Sequence, residues 1–451
     1  MISACANATA PSARACEAAP ATEDAVLRNR IIVCLASDYD FDPTGKHHIM
    51  RELARTNRVL WVNYHGSRRP KLTGADVTKS LRTLLRAAQG CRPVNESLTH
   101  FTPLVIPGVF SRGLRAINRA LLRAQIRVRL RDRAGVKPSA PVQVWSFAPD
   151  VGFLRGALNE EAFIYYCVDE FGAFEGYDAE AIRRQERELL ASADVVFASS
   201  EPLADARRAI RPDIHLARHG VEYAHFARAW RGPWPTPADL KDIDGCVFGF
   251  FGLIGDWVDV ELIAETARLR PQHHFVLLGE CRADTGSLRK LSNVRLLGRK
   301  PYADLPAYCA RFCAGILPFR CNDLTRNVNP IKLREYLAAG LPVISTPMPE
   351  TERYAPHVRI ATDPPSFAAA CDAVAATRTR ADAERISRRV AEEDWSGVVR
   401  RLCRVVVEAL NRRASGVAVT ATFEAMPAGS LTRSTAVRSS AASGISVTAE
   451  S

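Results

Sequence analysis

Short runs of β-branched and aromatic residues alternate with helical patterns through most of this 451-residue chain, and that alternation leaves few folds open. IIVCLAS (31–37), RVLWVNY (58–64), VQVWSFAP (142–149), AFIYYCVDE (162–170) and DVVFASS (194–200) read as strands, with helical patterns between them. Runs this uniformly apolar suit strands covered on both faces, and covered strands separated by helices form parallel sheets with right-handed crossovers. WRGPWPTPADLKDIDG (230–245) interrupts the pattern with Pro and Gly and reads as a linker. From Val247 the alternation starts again. The expectation is an α/β protein of two Rossmann-like, doubly wound domains, 27–229 and 246–413, facing each other across a cleft.

At this length two cores are the default. The first 26 residues, rich in Ala, Ser, Pro and Thr but without a basic start or an apolar run, read as a disordered leader. Residues 414–451 read as a disordered tail. No stretch reaches the ~18 apolar residues that span a bilayer. The 12 cysteines show no CxxC pair or His/Cys metal spacing, so reduced thiols in a cytoplasmic protein are expected. A net charge of +12 calls for an anionic partner. Among nucleotide, anionic membrane surface and nucleic acid, the last is the weakest and is not expected, because no binding module is recognisable and the basic residues are not interleaved with stacking aromatics.

The most informative segment is CNDLTRNVNPIKLREYLAAGLPVIST (321–346). Asn329 stands where a helix N-cap belongs and Pro330 at the first helical position. Gly340 ends the helix, and LPVIST reads as the next buried strand. Lys332 adds a full charge to the positive helix start, and Glu335 stands three residues on along the same face. A cation for phosphates with a carboxylate one turn deeper for ribose hydroxyls describes a site for a nucleoside diphosphate.

This segment resembles the donor helix of GT-B glycosyltransferases, particularly those like family four, whose pattern is E-x7-E followed by small residues, Gly and a P-V-I strand. Glu335 with YLAAGLPVIST matches the second glutamate, the small residues, the glycine and the strand, while Asn327 stands in place of the first glutamate. The order of VFGFFG, HHFVLLGE, VRLLGRKPYADLPAY and AGILPFRCNDLTR, preceded by GKHHIMRELARTNRVLWVNY, FIYYCVDEFGAF, ELLASADVVFASSEPL and RHGVEYAHF, extends the resemblance over residues 30–410, toward bacterial polysaccharide-assembly enzymes. It implies a GT-B fold and transfer of a sugar from a nucleotide donor, UDP first, to a lipid-linked or growing polysaccharide acceptor, with no metal or other cofactor. The donor site would draw on Gly252, Gly255, Arg299, Arg326, Asn327, Lys332 and Glu335. The loop FGLIGDWVDV lacks the Arg/Lys pair of many relatives, which leaves the phosphate charge to Lys332 and Arg326. A catalytically idle sugar-nucleotide-binding protein and a nucleotide-sugar epimerase of the same fold are the alternatives.

In parallel sheets ligands bind at the carboxyl ends of the strands, where Asp38, Asp150 and Asp169 stand. An inverting transfer needs one carboxylate to take the acceptor proton. Asp169, leaving an apolar strand for a Gly/aromatic loop, is the first candidate, with Asp150 and Asp38 as alternatives. His47 and His48 begin a helix on the same edge and are candidates for contact with the acceptor or the donor phosphate. His219-Gly220-Val221 reads as a hinge. DYDFD (38–42) invites a metal reading, which its distance from the donor helix argues against. Finally, SRGLRAINRALLRAQIRVRLRDR (111–133) carries eight arginines against one acid. Leu114, Ile117, Leu121, Ala124 and Val128 form one face, expected to pack inward. Arg115, Arg119, Arg123 and Arg127 step along the outer side among Leu122, Ile126 and Leu130, the pattern of a helix lying on anionic lipid. The protein would then be peripheral on the inner face of the cytoplasmic membrane.

Overall fold

The computed structural model describes residues 27–41, 43–67, 83–108, 111–131, 140–174, 176–377 and 379–415. The expected leader (1–26), Asp42 of DYDFD, residues 132–133 and nearly all of the expected tail lie outside them. Two sheets carry the architecture. The first has eight strands in the order β3-β4-β2-β1-β5-β6-β7-β8. These are β1 (Ile31–Ala36), β2 (Arg58–Asn63), β3 (Arg92–Pro93), β4 (Leu98–Phe101), β5 (Val142–Ser146), β6 (Ala162–Cys167), β7 (Val195–Ala198) and β8 (His215–Leu216). All neighbours are parallel except the β3/β4 edge pair. The second sheet is wholly parallel, β11-β10-β9-β12-β13-β14. It is built from β9 (Val247–Phe251), β10 (His274–Leu278), β11 (Val294–Leu296), β12 (Ala314–Leu317), β13 (Val343–Ser345) and β14 (Val358–Ile360).

Five helices position the site and its supports: α1 (Gly45–Leu53), α2 (Arg112–Arg131), α3 (Tyr223–Arg231), α4 (Ile331–Ala338) and α5 (Trp395–Ala414). Every residue of β1 is buried, and its side chains alternate between two cores as the strand period requires. Ile32, Cys34 and Ala36 join Ile49, Met50 and Leu53 of α1 and Val398, Val399, Leu402 and Val406 of α5. Val33 and Leu35 join Leu122 and Ile126 of α2 on the other face. Each such valine or leucine contributes about 1.5–3 kcal/mol by leaving water. The last helix is therefore part of the first core, although it comes after the second sheet in sequence.

The stretch 230–245 is not a linker. Phe226 and Ala229 of α3, with Leu240 and Ile243 beyond it, are buried in the core of the second sheet. The Pro/Gly composition marks a loop that is packed down, because its apolar residues recur often enough to reach that core. The chain crosses between sheets earlier, at residues 217–222, and returns at 390–395. The two crossings pair with each other, Val221 bridging Asp394 in parallel, with Val221 N donating to Glu393 O at 2.9 Å and Trp395 N to Val221 O at 3.2 Å. This two-strand joint is the seam between the sheets.

The arginine-rich helix is turned relative to expectation. Its inward residues are Asn118, Leu122 and Ile126, with Leu130 packed partly behind them. Ile117, Leu121 and Val128 are 39–49% exposed. Asn118 decides the orientation. Its amide bonds both the N–H and the carbonyl of Ile106 at 2.8 Å, so the polar residue docks inward. Arg115 pairs with Glu188, and Arg119 donates to the carbonyls of Phe153 and Arg155, so these two arginines face protein.

Candidate functional site

At the carboxyl end of the second sheet β9 stops at Gly252 and β10 at Gly279, with φ of +124° and +147°. A Cβ at Gly279 would lie 1.9 Å from Gly252 O, and one at Gly252 would lie 2.0 Å from Lys332 Cε. The backbone at Gly252 favours glycine, and a side chain there would displace the end of the lysine lying across it. The second-sheet strand ends and the first turn of α4 thus make a floor with the Lys332 ammonium above it. Glu335 is 5% exposed on the same face. Burial pushes its carboxyl up to about 7, against the pull of Lys332. The Tyr302 hydroxyl faces both Glu335 and Glu222. A buried carboxyl held near neutrality beside a cation suits a ligand that brings hydroxyls to one and negative charge to the other.

The helix start differs from expectation. α4 begins at Ile331 with Pro330 as its cap, and no side chain caps it. Asn329 has other partners. Its Nδ2 donates to Ser199 O at 2.5 Å, and its Oδ1 accepts from Arg334 at 2.5 Å. The buried guanidinium one turn below and a first-sheet carbonyl draw the amide away from its own helix.

Other donor candidates are not brought together. Arg326 is exposed and pairs with Asp323 at 3.4 Å, and the Asn327 amide donates back to Asp323 O at 2.6 Å. Both belong to the short helix Asp323–Asn327, whose own turn they close. Arg299 is exposed near Glu280. Gly255 underlies the Trp257 ring, 2.7 Å from where a Cβ would stand, and acts in the turn. A cavity of about 390 Å³ opens beside this turn, lined by Asp256, Glu261 and Asp284 with Arg320. Three carboxylates against one arginine do not suit a diphosphate, and none of the floor residues lines it.

Across the seam, the three aspartates separate by their partners. Asp38 is bound by Arg86 and by Asp40 N. Asp150 is buried and accepts from Tyr64 at 3.2 Å and Ser67 at 2.8 Å, and burial lifts its pKa to about 6. The Asp169 carboxylate, by contrast, accepts no hydrogen bond from the described residues. Burial lifts it to about 7, and the one charge acting on it is Lys46. Lys46, in the first turn of α1, bonds Ser37 Oγ at 2.5 Å, and burial lowers its pKa while Asp169 raises it. Sequence reasoning missed Lys46. Its signal was its place just after the first strand and loop, at the carboxyl edge of the first sheet.

His47 is not available to a ligand. Its Nδ1 accepts from Thr44 N at 3.1 Å, its Nε2 meets Tyr39 O at 3.2 Å, and its ring stacks on Trp61. Its burial, with Lys46 and Arg51 nearby, pushes its pKa down to about 3. His48 is 3% exposed, stacks on Trp395 and stands 3.8 Å from Glu222, inside the seam and off the cleft edge. His219 lies in the first crossing, and its Nδ1 donates to Asn329 O at 2.9 Å. Among the described residues no group of three or more His, Cys, Asp or Glu is arranged to hold a metal.

Comparison with known proteins bears on this geometry. Residues 246–377, the second sheet and its floor, match the family model for glycosyl transferases group 1. TuaH of Bacillus subtilis, a protein assigned to teichuronic acid biosynthesis as a glycosyltransferase, is 28% identical over 281 residues, 57% of this chain and 70% of TuaH. Among solved structures, HepE of Anabaena with UDP and glucose aligns at a TM-score of 0.57 and 13% identity, over 83% of this chain and 99% of HepE. Sucrose-phosphate synthase of Thermosynechococcus elongatus aligns at 0.60 and 14%, over 85% and 99%. At such identities these structures speak for the fold. With two parallel-sheet halves and a stretch matching the group 1 glycosyl transferases bearing the floor, the chain has the GT-B fold and carries a glycosyltransferase domain.

Proposed function

We propose that the chain transfers a sugar from a nucleotide donor, UDP-linked in the first instance, to a lipid-linked or growing polysaccharide acceptor in cell-envelope or exopolysaccharide assembly. The observation that carries the donor half is Lys332 lying over bare Gly252 with Glu335 buried behind it. Lys332 and the start of α4 meet the diphosphate and stabilise it as it departs, without a cofactor. Glu335 accepts the ribose hydroxyls. HepE, in complexes with UDP and glucose and with UDP-glucose, supports the choice of donor, and TuaH supports the setting in envelope polymer synthesis.

Asp169 serves as the general base in an inverting transfer. It is the one of the three strand-end aspartates whose carboxylate accepts no hydrogen bond from the described residues, and its pKa near 7 suits proton uptake at neutral pH. In the step, the acceptor oxygen bonds to the anomeric carbon, the bond to the nucleotide phosphate breaks, and the acceptor proton passes to the carboxylate. Asp169→Asn should lower turnover by ~10²-fold or more with UDP affinity unchanged. Near-normal turnover would move the role to Asp150 or Asp38, or favour retention without an enzymic base. An idle binder would release no UDP from donor in excess acceptor.

The acceptor's lipid is met by α2 at the cytoplasmic face of the membrane. Its outward stripe of Ile117, Leu121, Ala124 and Val128 is flanked by the exposed Arg112, Arg123 and Arg131. An apolar strip among arginines matches the chemistry of an anionic bilayer surface. Among the described residues no helix is long and apolar enough to cross the membrane.

A further inference from the structure

Arg334 stands between Lys332 and Glu335 in sequence but points the opposite way, into the protein, and is fully buried. We propose that it is a positioning residue, fixing the donor helix to the two-strand joint so that the joint sets where Lys332 and Glu335 stand. This rests on the donor site proposed above.

Its contacts converge on the two crossings. Nε donates to Glu393 Oε2 at 2.7 Å, at the end of the 3₁₀ turn Ala391–Glu393 in the returning crossing. The Tyr354 hydroxyl donates to the same oxygen at 2.8 Å. Nη1 donates to Asn329, whose own carbonyl accepts from His219 on the outgoing strand and whose amide reaches Ser199 at the end of the first sheet. Nη2 stands 3.8 Å from Glu350 Oε2. Glu350 is 1% exposed and is held by Arg218, also on the outgoing strand, at 3.0 Å. One guanidinium thus touches the returning crossing directly, and the outgoing crossing through Asn329 and through Glu350.

Two features argue for more than a structural role. A buried ion cluster is a poor stabiliser compared with apolar packing of the same volume, so stability alone does not account for it. Nη2 also makes no hydrogen bond, although it is buried. The fork is one bond short, and the missing partner, Glu350, is tied to the joint. A small movement of the joint toward α4 would complete it, so the position of the joint bears on the fork. A planar, five-donor guanidinium transmits such orientation in a way that an ammonium does not.

The test compares Arg334→Lys, Arg218→Lys and Lys332→Ala in the full chain, by calorimetric titration with UDP and by thermal melting. Arg334→Lys should weaken UDP binding at least tenfold in protein that melts cooperatively. Arg218→Lys, remote from the donor floor and on a partly exposed side chain, should weaken it less, in the same direction. The double variant should cost no more than Arg334→Lys alone, because Arg218 reaches the helix by way of Glu350 and Arg334. Should Arg334→Lys fail to fold, Arg218→Lys carries the test alone. A purely structural role would lower the melting temperature and leave the UDP affinity of the folded protein unchanged in both. That result, with Lys332→Ala still losing UDP, overturns the proposal and leaves the donor site standing. Unchanged UDP affinity in Lys332→Ala would remove the donor site and the proposal with it.

Discussion

Asp169 and Glu335 share one property that sequence does not display: each carboxyl is pushed to about 7 by burial. A buried acid with a raised pKa keeps its proton longer in the folded than in the unfolded chain. Its contribution to stability is therefore greatest below its unfolded pKa and is lost as pH rises toward 7. The empty protein should melt at progressively lower temperature as pH rises from about 5 to 8, and Glu335→Gln should flatten part of that fall. Ribose hydroxyls donated to an ionised Glu335 bring the opposite trend to binding. Uridine, which does not itself titrate in this range, should bind more tightly as pH rises through 7 and release a proton below it. Calorimetry in two buffers of different ionisation enthalpy reads that proton directly. Uridine binding independent of pH in the wild type would remove Glu335 from the ribose. At this scale Lys332, Glu335 and Gly252 were legible because glycine, charge and helical spacing are local. The separation of Asp169 from Asp38 and Asp150 was not, since it depends on Arg86, Tyr64 and Ser67 arriving from elsewhere.

Among the elements, strands were the most legible and orientations the least. The alternating runs of β1, β6, β9 and β13 stand where the sequence puts them. Gly340, with φ of +71° and a Cβ position 2.8 Å from Ala383, ends the donor helix as its place predicts. The helix α2 carries two apolar stripes, and periodicity cannot choose between them. Asn118 chooses, by meeting the backbone of Ile106. The packed loop after α3 was misread for a related reason: Pro and Gly announce irregular backbone, not exposure. The membrane prediction uses the observed face. Replacing Ile117, Leu121 and Val128 with Ser should abolish cosedimentation with anionic vesicles at low salt, and Arg123→Gln should weaken it by the ~1 kcal/mol of one interfacial arginine. Soluble UDP binding should be intact in both. If wild-type protein ignores anionic vesicles at low salt, the surface is not a lipid contact and a soluble acceptor becomes the better reading.

For the whole molecule, both sheets present their carboxyl ends at the seam, so that a cation over bare glycine and a carboxylate without a hydrogen bond from the described residues belong to opposite halves. The last helix returns to the first core, and the paired crossings leave the donor helix fastened to both halves. The central claim is that the floor under Lys332 receives a nucleoside diphosphate, and titration of Lys332→Ala with UDP and with uridine tests it most directly. Hydrogen bonds to charged groups contribute about 1.5–3 kcal/mol. The account therefore predicts roughly a 10- to 100-fold loss for UDP and little change for uridine. Equal affinities for UDP in the variant and the wild type would contradict it.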